Sequence, residues 1–300
     1  ANSTVVEKPY EDEVILTYSG FDCSNIGTWE YYFTAVDNDV GGNHSNETVP
    51  HNFTIEQDDV YFVYYEGDGS TVWRDIADNY TNLTMQIYDA DNNRPLGLGQ
   101  SAKFWVTTDG TNWDSGTLVG TNDTGFIKLV FDPDCAYDVG IQKWKAGTTD
   151  NTCYKDANST EYSLTIYSHM NPQVLLPDGE SYLRGESVPV IGYITDDCGV
   201  VDDASVTYTM ENGGNSYSCT TTTCQPVNIS DGYYNYTFDS SGKVLRWYNI
   251  TMSASRSYYP STSTKKENAF FLATQPQITD ISVDHDLGGW GETYKFSAIL

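Results

Sequence analysis

Ser101-Ala102-Lys103-Phe104-Trp105-Val106-Thr107-Thr108-Asp109-Gly110 is the stretch whose reading decides the fold. Ala102, Phe104 and Val106 alternate with Lys103 and Trp105, so a pleated strand would turn the first set to a core and the second outward. Asp109-Gly110 then supplies the turn chemistry that ends the run. The same pattern returns in Ala204-Ser205-Val206-Thr207-Tyr208-Thr209-Met210-Glu211-Asn212-Gly213.

The echo continues along the chain. Thr124-Gly125-Phe126-Ile127-Lys128-Leu129 matches Asp231-Gly232-Tyr233-Tyr234-Asn235-Tyr236, Tyr137 to Ile141 answers Tyr248 to Met252, and Tyr162 to Ile166 answers Ala269 to Ala273. The offset stays near about 107 residues, which makes this an internal repeat of one structural unit. Other alternating runs, such as Trp29-Tyr31-Phe33-Ala35 and Leu83-Met85-Ile87, recur roughly every 8 to 14 positions between Gly, Asn, Asp and Pro clusters. With 24 tyrosines and 14% aromatic content the composition suits half-buried pleated surfaces. No long segment carries the 3.6-residue apolar period of a helix. The expected fold class is all-β, a tandem array of β-sandwiches. Three hundred residues exceed what one core usually serves, and the expected division is 57–169 and 170–275 for two related sandwiches. Residues 1–56 read as the closing half of another sandwich and 276–300 as the opening strands of a further one.

Charge narrows the function. Forty-two acidic against 15 basic residues give a formal net charge of -27, which repels phosphate backbones and anionic lipid headgroups. No nucleic-acid partner is expected. The longest apolar runs, Phe126 to Phe131 and Ala269 to Ala273, have strand length, so no membrane insertion is expected in this segment. Eleven asparagines open an N-x-S/T triplet: Asn2, Asn43, Asn46, Asn52, Asn79, Asn82, Asn122, Asn158, Asn228, Asn235 and Asn249. Chance would give about four, so the excess points to an exported, extracellular chain carrying covalent N-linked glycans. In the strands, Asn82, Asn235 and Asn249 fall on the outward phase, and 276–300 has no sequon.

The two ends resemble the tandem immunoglobulin-like (PKD- and Big-like) repeats of archaeal, especially methanogen, cell-surface glycoproteins. The likeness lies in Pro276 to Val283 followed by Gly288-Gly289-Trp290-Gly291-Glu292-Thr293-Tyr294-Lys295-Phe296-Ser297, which is similar to a repeat's opening. It lies also in Cys23 to Asp37 followed by His51 to Ile55, which is similar to its close. The resemblance covers about 80 residues and implies immunoglobulin-like sandwiches, incomplete at both ends, in an S-layer, sheath or filament at the cell surface. A half sandwich exposes an apolar face and unpaired strand edges. Either the chain is an excerpt from a longer array, or strands 276–300 of one copy complete the N-terminal half-domain of the next. The expected partners are therefore neighbouring domains or copies of itself.

Six cysteines in an exported chain favour disulfides over metal sites. Cys135 is expected to pair with Cys153, and Cys198 with Cys224 in slight preference to Cys219. Cys23 has no local partner; its bridge would run to an upstream segment, to Cys219 or to another molecule. Four histidines, none beside a Ser or Cys nucleophile motif, and the lack of G-x-S-x-G, H-E-x-x-H or a phosphate loop argue against an enzyme. No cofactor is required. Calcium is a candidate ligand of the acidic loops, through Asp37 and Asp39, Asp89 and Asp91, or Asp196 and Asp197, which cluster hard oxygen donors at strand ends. Asp202-Asp203 and Asp284-His285-Asp286 are similar clusters, and acidic turns serve solubility without any ion. The alternative function is an adhesin or carbohydrate-binding surface protein, with outward Trp105 and Trp113 of the next loop as a sugar-stacking platform. Against it stands Trp105 packing under a neighbouring domain, a strand or its own glycan.

Overall fold

The structure is a computed structural model that describes residues 15–36, 44–219 and 227–300. Asn2, Asp37, Asp39, Asn43 and Cys224, named above as candidates, lie outside the described residues, as does the side chain of Asn228. No helix is long and apolar enough to cross a membrane.

The N-terminal part is made of two small ribbons. Strand β1 (Gly27–Tyr31) pairs antiparallel with β4 (His51–Ile55), and between them β2 (Thr34–Val36) pairs with β3 (Ser45–Glu47). A 3-10 turn at Cys23–Asn25 precedes β1. Asp22 caps it by accepting from the Ser24 amide, and the Asn25 carboxamide accepts from the Asp22 amide in return. Phe21 packs edge-on to Phe53, directly across from Trp29. Even so Trp29, Tyr31 and Phe33 stay exposed, because two strands offer no second layer.

The next strands are β5 (Val60–Glu66), β6 (Ser70–Trp73), β7 (Thr81–Asp89), β8 (Arg94–Pro95), β9 (Ser101–Val106), β10 (Thr117–Gly120), β11 (Phe126–Phe131), β12 (Gly140–Thr148), β13 (Ala157–Asn158) and β14 (Tyr162–Tyr167). One sheet runs β10-β9-β12-β14-β6, with β13 beside β12; the other runs β11-β7-β5, with β8 beside β7. The alternation of β9 is realised: Ala102, Phe104 and Val106 are fully buried, Lys103 and Trp105 are not. Leu83, Met85 and Ile87 of β7 and Ile127 of β11 meet them from the opposite layer of the core, each contributing about 1.5–3 kcal/mol by leaving water. Trp144 fills the middle, its ring 6.0 Å from Phe104 and 4.8 Å from Tyr162, with its indole N–H unpartnered.

The second sandwich comprises β15 (Asn171–Leu176), β16 (Glu180–Leu183), β17 (Ser187–Thr195), β18 (Ser205–Glu211), β19 (Ser216–Cys219), β20 (Val227–Ser230), β21 (Tyr233–Asp239), β22 (Trp247–Arg256) and β23 (Tyr259–Ala273). Its sheets run β15-β17-β21-β20 and β16-β23-β22-β18-β19. The long sheet thus repeats, strand for strand, the order β10-β9-β12-β14-β6 of the first sandwich. The first strand is divided between layers in the immunoglobulin-like manner: β15 joins β17 antiparallel, then β16 crosses to lie parallel to β23. Val188, Val190 and Ile194 face Tyr208, Met252, Tyr248 and Phe270 in the core. Gly192 holds the remaining inward position of β17, because a Cβ there would fall onto the Tyr208 hydroxyl and the Met252 sulfur. The space it leaves admits the hydroxyl, which donates to the Tyr234 carbonyl at 2.8 Å.

Beyond the second sandwich, β24 (Thr279–Val283) and β25 (Phe296–Ile299) form a hairpin with Ile281, Leu287, Trp290 and Phe296 open to solvent. By compactness the described residues fall into two units. The first holds those of Ala1–Val72, Tyr80–Asp132 and Ile141–Thr165; the second holds those of Trp73–Asn79, Pro133–Gly140 and Ile166–Leu300.

The disulfides differ from the expected pairs. Cys23 bonds to Cys153 and Cys135 bonds to Cys198. Cys135–Cys153 and Cys198–Cys224 are therefore both corrected, and Cys23 finds its partner within the first unit. Cys135 and Cys153 flank the single strand β12 and so leave from its opposite ends, whereas Cys135 and Cys198 sit on segments of the second unit that meet. Cys219 is also disulfide-bonded, and no described cysteine is free.

Candidate functional site

Three clusters carry the chemistry among the described residues. The first is acidic and lies in the first unit. Asp89, at the last position of β7 and 1% exposed, is held by the Asn92 amide at 3.0 Å and the Asn92 carboxamide at 2.8 Å. The turn that follows needs Asn93 in the left-handed region (φ 48°), where asparagine is tolerated, and it brings back Arg94, whose Nε stays 3.8 Å away and whose side chain is 70% exposed. Asp58 arrives from the short segment between β4 and β5, fixed by main-chain bonds with Cys153 and Lys155 on either side of Tyr154. Carboxylate oxygens of Asp58, Asp89 and Asp91 lie within 4.8 Å of one another. Burial, then the charges of Asp89 and Asp91, push the Asp58 carboxyl above the usual range. Such a donor set matches a hard divalent cation in kind. Sequence reasoning found Asp89 and Asp91 but missed Asp58; its one signal was the acidic run Glu56-Gln57-Asp58-Asp59.

The second cluster lies in the second unit and answers the expectation for Asp196 and Asp197. Arg74, 5% exposed, donates from Nη2 to Asp196 Oδ2 at 2.7 Å, from Nε to Asp197 Oδ2 at 3.0 Å and from Nη1 to the Tyr137 carbonyl at 2.9 Å. The Tyr259 hydroxyl gives Asp196 another bond at 2.8 Å, and the Ser168 hydroxyl serves Asp197 at 2.7 Å. Burial alone would raise Asp197; the hydrogen bonds and charge of Arg74, with Ser168, outweigh it and hold the carboxyl below the ordinary range. Burial and the neighbouring Asp196 carboxylate likewise raise the Tyr259 phenol. These oxygens already accept from a guanidinium, which supplies positive charge at the place where calcium was the expected ligand. The Cys135–Cys198 bridge runs alongside, with Cys198 Sγ 3.2 Å from Asp197.

The third is aromatic. Trp105 faces outward from β9, as its phase requires, and Trp113 comes from the turn after it. Lys145, paired with Trp105 in register on β12, reaches over both rings, at 5.7 Å from Trp105 and 4.7 Å from Trp113. Asp114, Thr148, Thr149, Asp156 and Asn158 complete an open depression of about 370 Å³. The Trp105 ring takes space that side chains at two neighbours would fill: a Cβ at Gly116 would be 2.6 Å from its Nε1, and one at Gly147 would be 3.0 Å from Cζ3.

Among the described residues no sequon asparagine is fully buried, although Oδ1 of Asn82 and of Asn235 is buried without a hydrogen-bond partner. Asn46, Asn52, Asn122 and Asn158 are exposed; Asn79, Asn82, Asn235 and Asn249 are half-buried. Of the histidines, His169 binds Asp75 at 2.7 Å and stacks on Trp73, while His285 lies against Asp284 and Glu292.

No family model matches the chain, and no curated protein matches it in sequence. Among solved structures it is similar to three tandem immunoglobulin domains of a titin variant, at 11% identity over 82% of this chain and 75% of that one, with a TM-score of 0.45. It is similar also to a tetra-tandem repeat from the extending region of a large adhesion protein, at 19% identity, 73% coverage and a TM-score of 0.40. The chain spans about half the length of that repeat structure, 53% of it. A third is extracellular domains 3–5 of Drosophila OTK, at 12% identity over 80% of this chain and 75% of that one, with a TM-score of 0.30. At such identities the likeness concerns fold alone, and the sheet order and the divided first strand independently make the chain an all-β tandem of immunoglobulin-like sandwiches.

Proposed function

We propose that the chain is a structural module of an exported, glycosylated array of immunoglobulin-like sandwiches, joined to its neighbours through domain ends or strand addition. The observation that carries this reading is the pair of end ribbons. The β24–β25 hairpin leaves Trp290 fully in solvent with Ile281, Leu287 and Phe296, and the β1–β4 ribbon leaves Trp29, Tyr31 and Phe33 exposed. Two-stranded ribbons of this kind are marginal in water and gain stability when another layer covers them. The absence of a sequon in 276–300 supports the same contact face. The finer reading, a surface layer, sheath or filament of an archaeal cell, rests on the resemblance of the two ends to methanogen surface repeats.

Hydrogen exchange tests it. In native cell-surface material the amides of Thr279–Val283 and Phe296–Ile299 should be protected, and in the isolated chain they should exchange freely. Equal, fast exchange in both would end the proposal. A second reading, an adhesin or carbohydrate-binding module, draws on the Trp105–Trp113 depression. Saturable binding on a glycan array, lost on Trp105→Ala, would favour it.

A further inference from the structure

The aromatic depression contains its own attachment point. Asn158, exposed on the short strand β13, opens the sequon Asn158-Ser159-Thr160 and is one of the residues lining the depression. In register it stands across from Gly147, and Gly147 stands across from Lys103, next to the Trp105–Lys145 pair. Gly147, lacking a side chain, leaves the Asn158 carboxamide and the indole on either side of one gap: a Cβ built there would be 2.5 Å from Asn158 Oδ1 and 3.0 Å from Trp105 Cζ3. The acceptor strand is also fixed. The Thr148 hydroxyl accepts from the Ala157 amide at 3.0 Å and donates to the Lys155 carbonyl at 2.8 Å, and the Ser159 hydroxyl accepts from the Ala146 amide at 3.1 Å.

We infer that this depression is a saccharide-stacking site whose occupant is the N-linked glycan of Asn158 itself, folded back over Trp105 and Trp113. The inference rests on the glycoprotein reading above and extends it to one site. Its chemistry is complementary. A pyranose presents a face of C–H groups that packs on an indole face, while its hydroxyls meet Asp114, Asp156 and the Lys145 ammonium, a flexible side chain that reaches over both rings and must swing aside for the sugar. A tethered occupant needs no intrinsic affinity comparable to that of a free ligand, since attachment beside the rings holds the sugar at a high effective concentration. The groove would then be closed to free glycans in the mature protein, which turns the adhesin-like feature into a rigidifying one.

The experiment uses native glycoprotein from the producing cells, compared with Asn158→Gln and with Thr160→Ala, which abolishes the sequon while keeping Asn158. Tryptophan oxidation is read by peptide mass spectrometry together with occupancy of Asn158, and fully exposed Trp290 is the internal standard. The expected result is an occupied Asn158 and a severalfold rise in oxidation of Trp105 and Trp113 in both variants, with Trp290 unchanged. An unmodified Asn158 overturns the inference together with the glycoprotein reading at this position. An occupied Asn158 with unchanged oxidation in both variants overturns the stacking alone. Saturable binding of free saccharide by the fully glycosylated protein, lost on Trp113→Ala, also overturns it, in favour of the adhesin.

Discussion

Two acidic loop clusters, Asp196–Asp197 in the second unit and Asp58–Asp89–Asp91 in the first, are built from the same material and reach opposite electrostatic states. Arg74 enters the former nearly buried, with three donors engaged on two carboxylates and a carbonyl. Arg94 stands off from the latter at 3.8 Å, mostly in water. The consequence is visible in two carboxyls: Asp197 is held below its usual range, Asp58 above it. What a pair of acids at a strand end does depends on which basic group the topology delivers to it. Their spacing along the chain does not settle the matter.

The contrast can be broken most strongly at Arg74. Arg74→Met leaves two largely buried carboxylates unpaired and should remove about 3–5 kcal/mol, read by urea denaturation of the second unit with hydrogen exchange as the local probe. A loss under about 1 kcal/mol would show that the guanidinium does not compensate the acids. Replacing Cys135 and Cys198 together by Ser frees a closure of 63 residues and should cost about 2–4 kcal/mol, checked by thermal unfolding with and without reductant. Tyr259→Phe deletes the phenol that donates to Asp196 and should cost about 1.5–3 kcal/mol. The smallest effect has the opposite sign: Asp58→Asn should stabilise by less than about 1 kcal/mol at pH 7, because it removes like-charge repulsion at a partly exposed position.

Acid separates the clusters as well. The Asp197 contribution is complete above its unfolded value of about 3.8–3.9 and is lost as pH falls through the depressed folded value. Asp58 is a penalty at neutral pH, and lowering pH through its raised folded value relieves it. Once the intrinsic slowing of amide exchange by acid is divided out, acidification should therefore raise the protection factors near Asp58 in the wild type but not in Asp58→Asn. An identical pH response in both proteins would remove Asp58 from the account.

Most of the architecture was legible because half-buried strands announce themselves by period. The inward set of Ala102, Phe104 and Val106 and the outward Trp105 follow from alternation alone, as does the kinship of β9 and β18. Gly192 was invisible, since its role depends on a Tyr208 hydroxyl arriving from the opposite sheet. The disulfides were misread for a related reason: proximity along the chain favoured Cys153 for Cys135, while Cys135 and Cys198, 63 residues apart, meet within the second unit. The counter-charge of Asp196 and Asp197 was not legible, because Arg74 lies 122 and 123 residues away in sequence. The sequon at Asn158 was plain, but its nearness to Trp105 depends on Gly147, a residue notable only for what it lacks.

The parallel pairing of β16 with β23 has a mechanical meaning. Glu180 to Leu183 lie beside Phe270 to Ala273, tied at the edges by Gly179 to Ala269 and Arg184 to Ala273. Because the strands run the same way, a pull on the chain before β16 and after β23 draws them in opposite directions along their length. The connecting hydrogen bonds are then loaded side by side and must give way together, where an antiparallel end would open one bond at a time. Tension applied along the chain at those two points therefore meets all of the bonds between β16 and β23 at once.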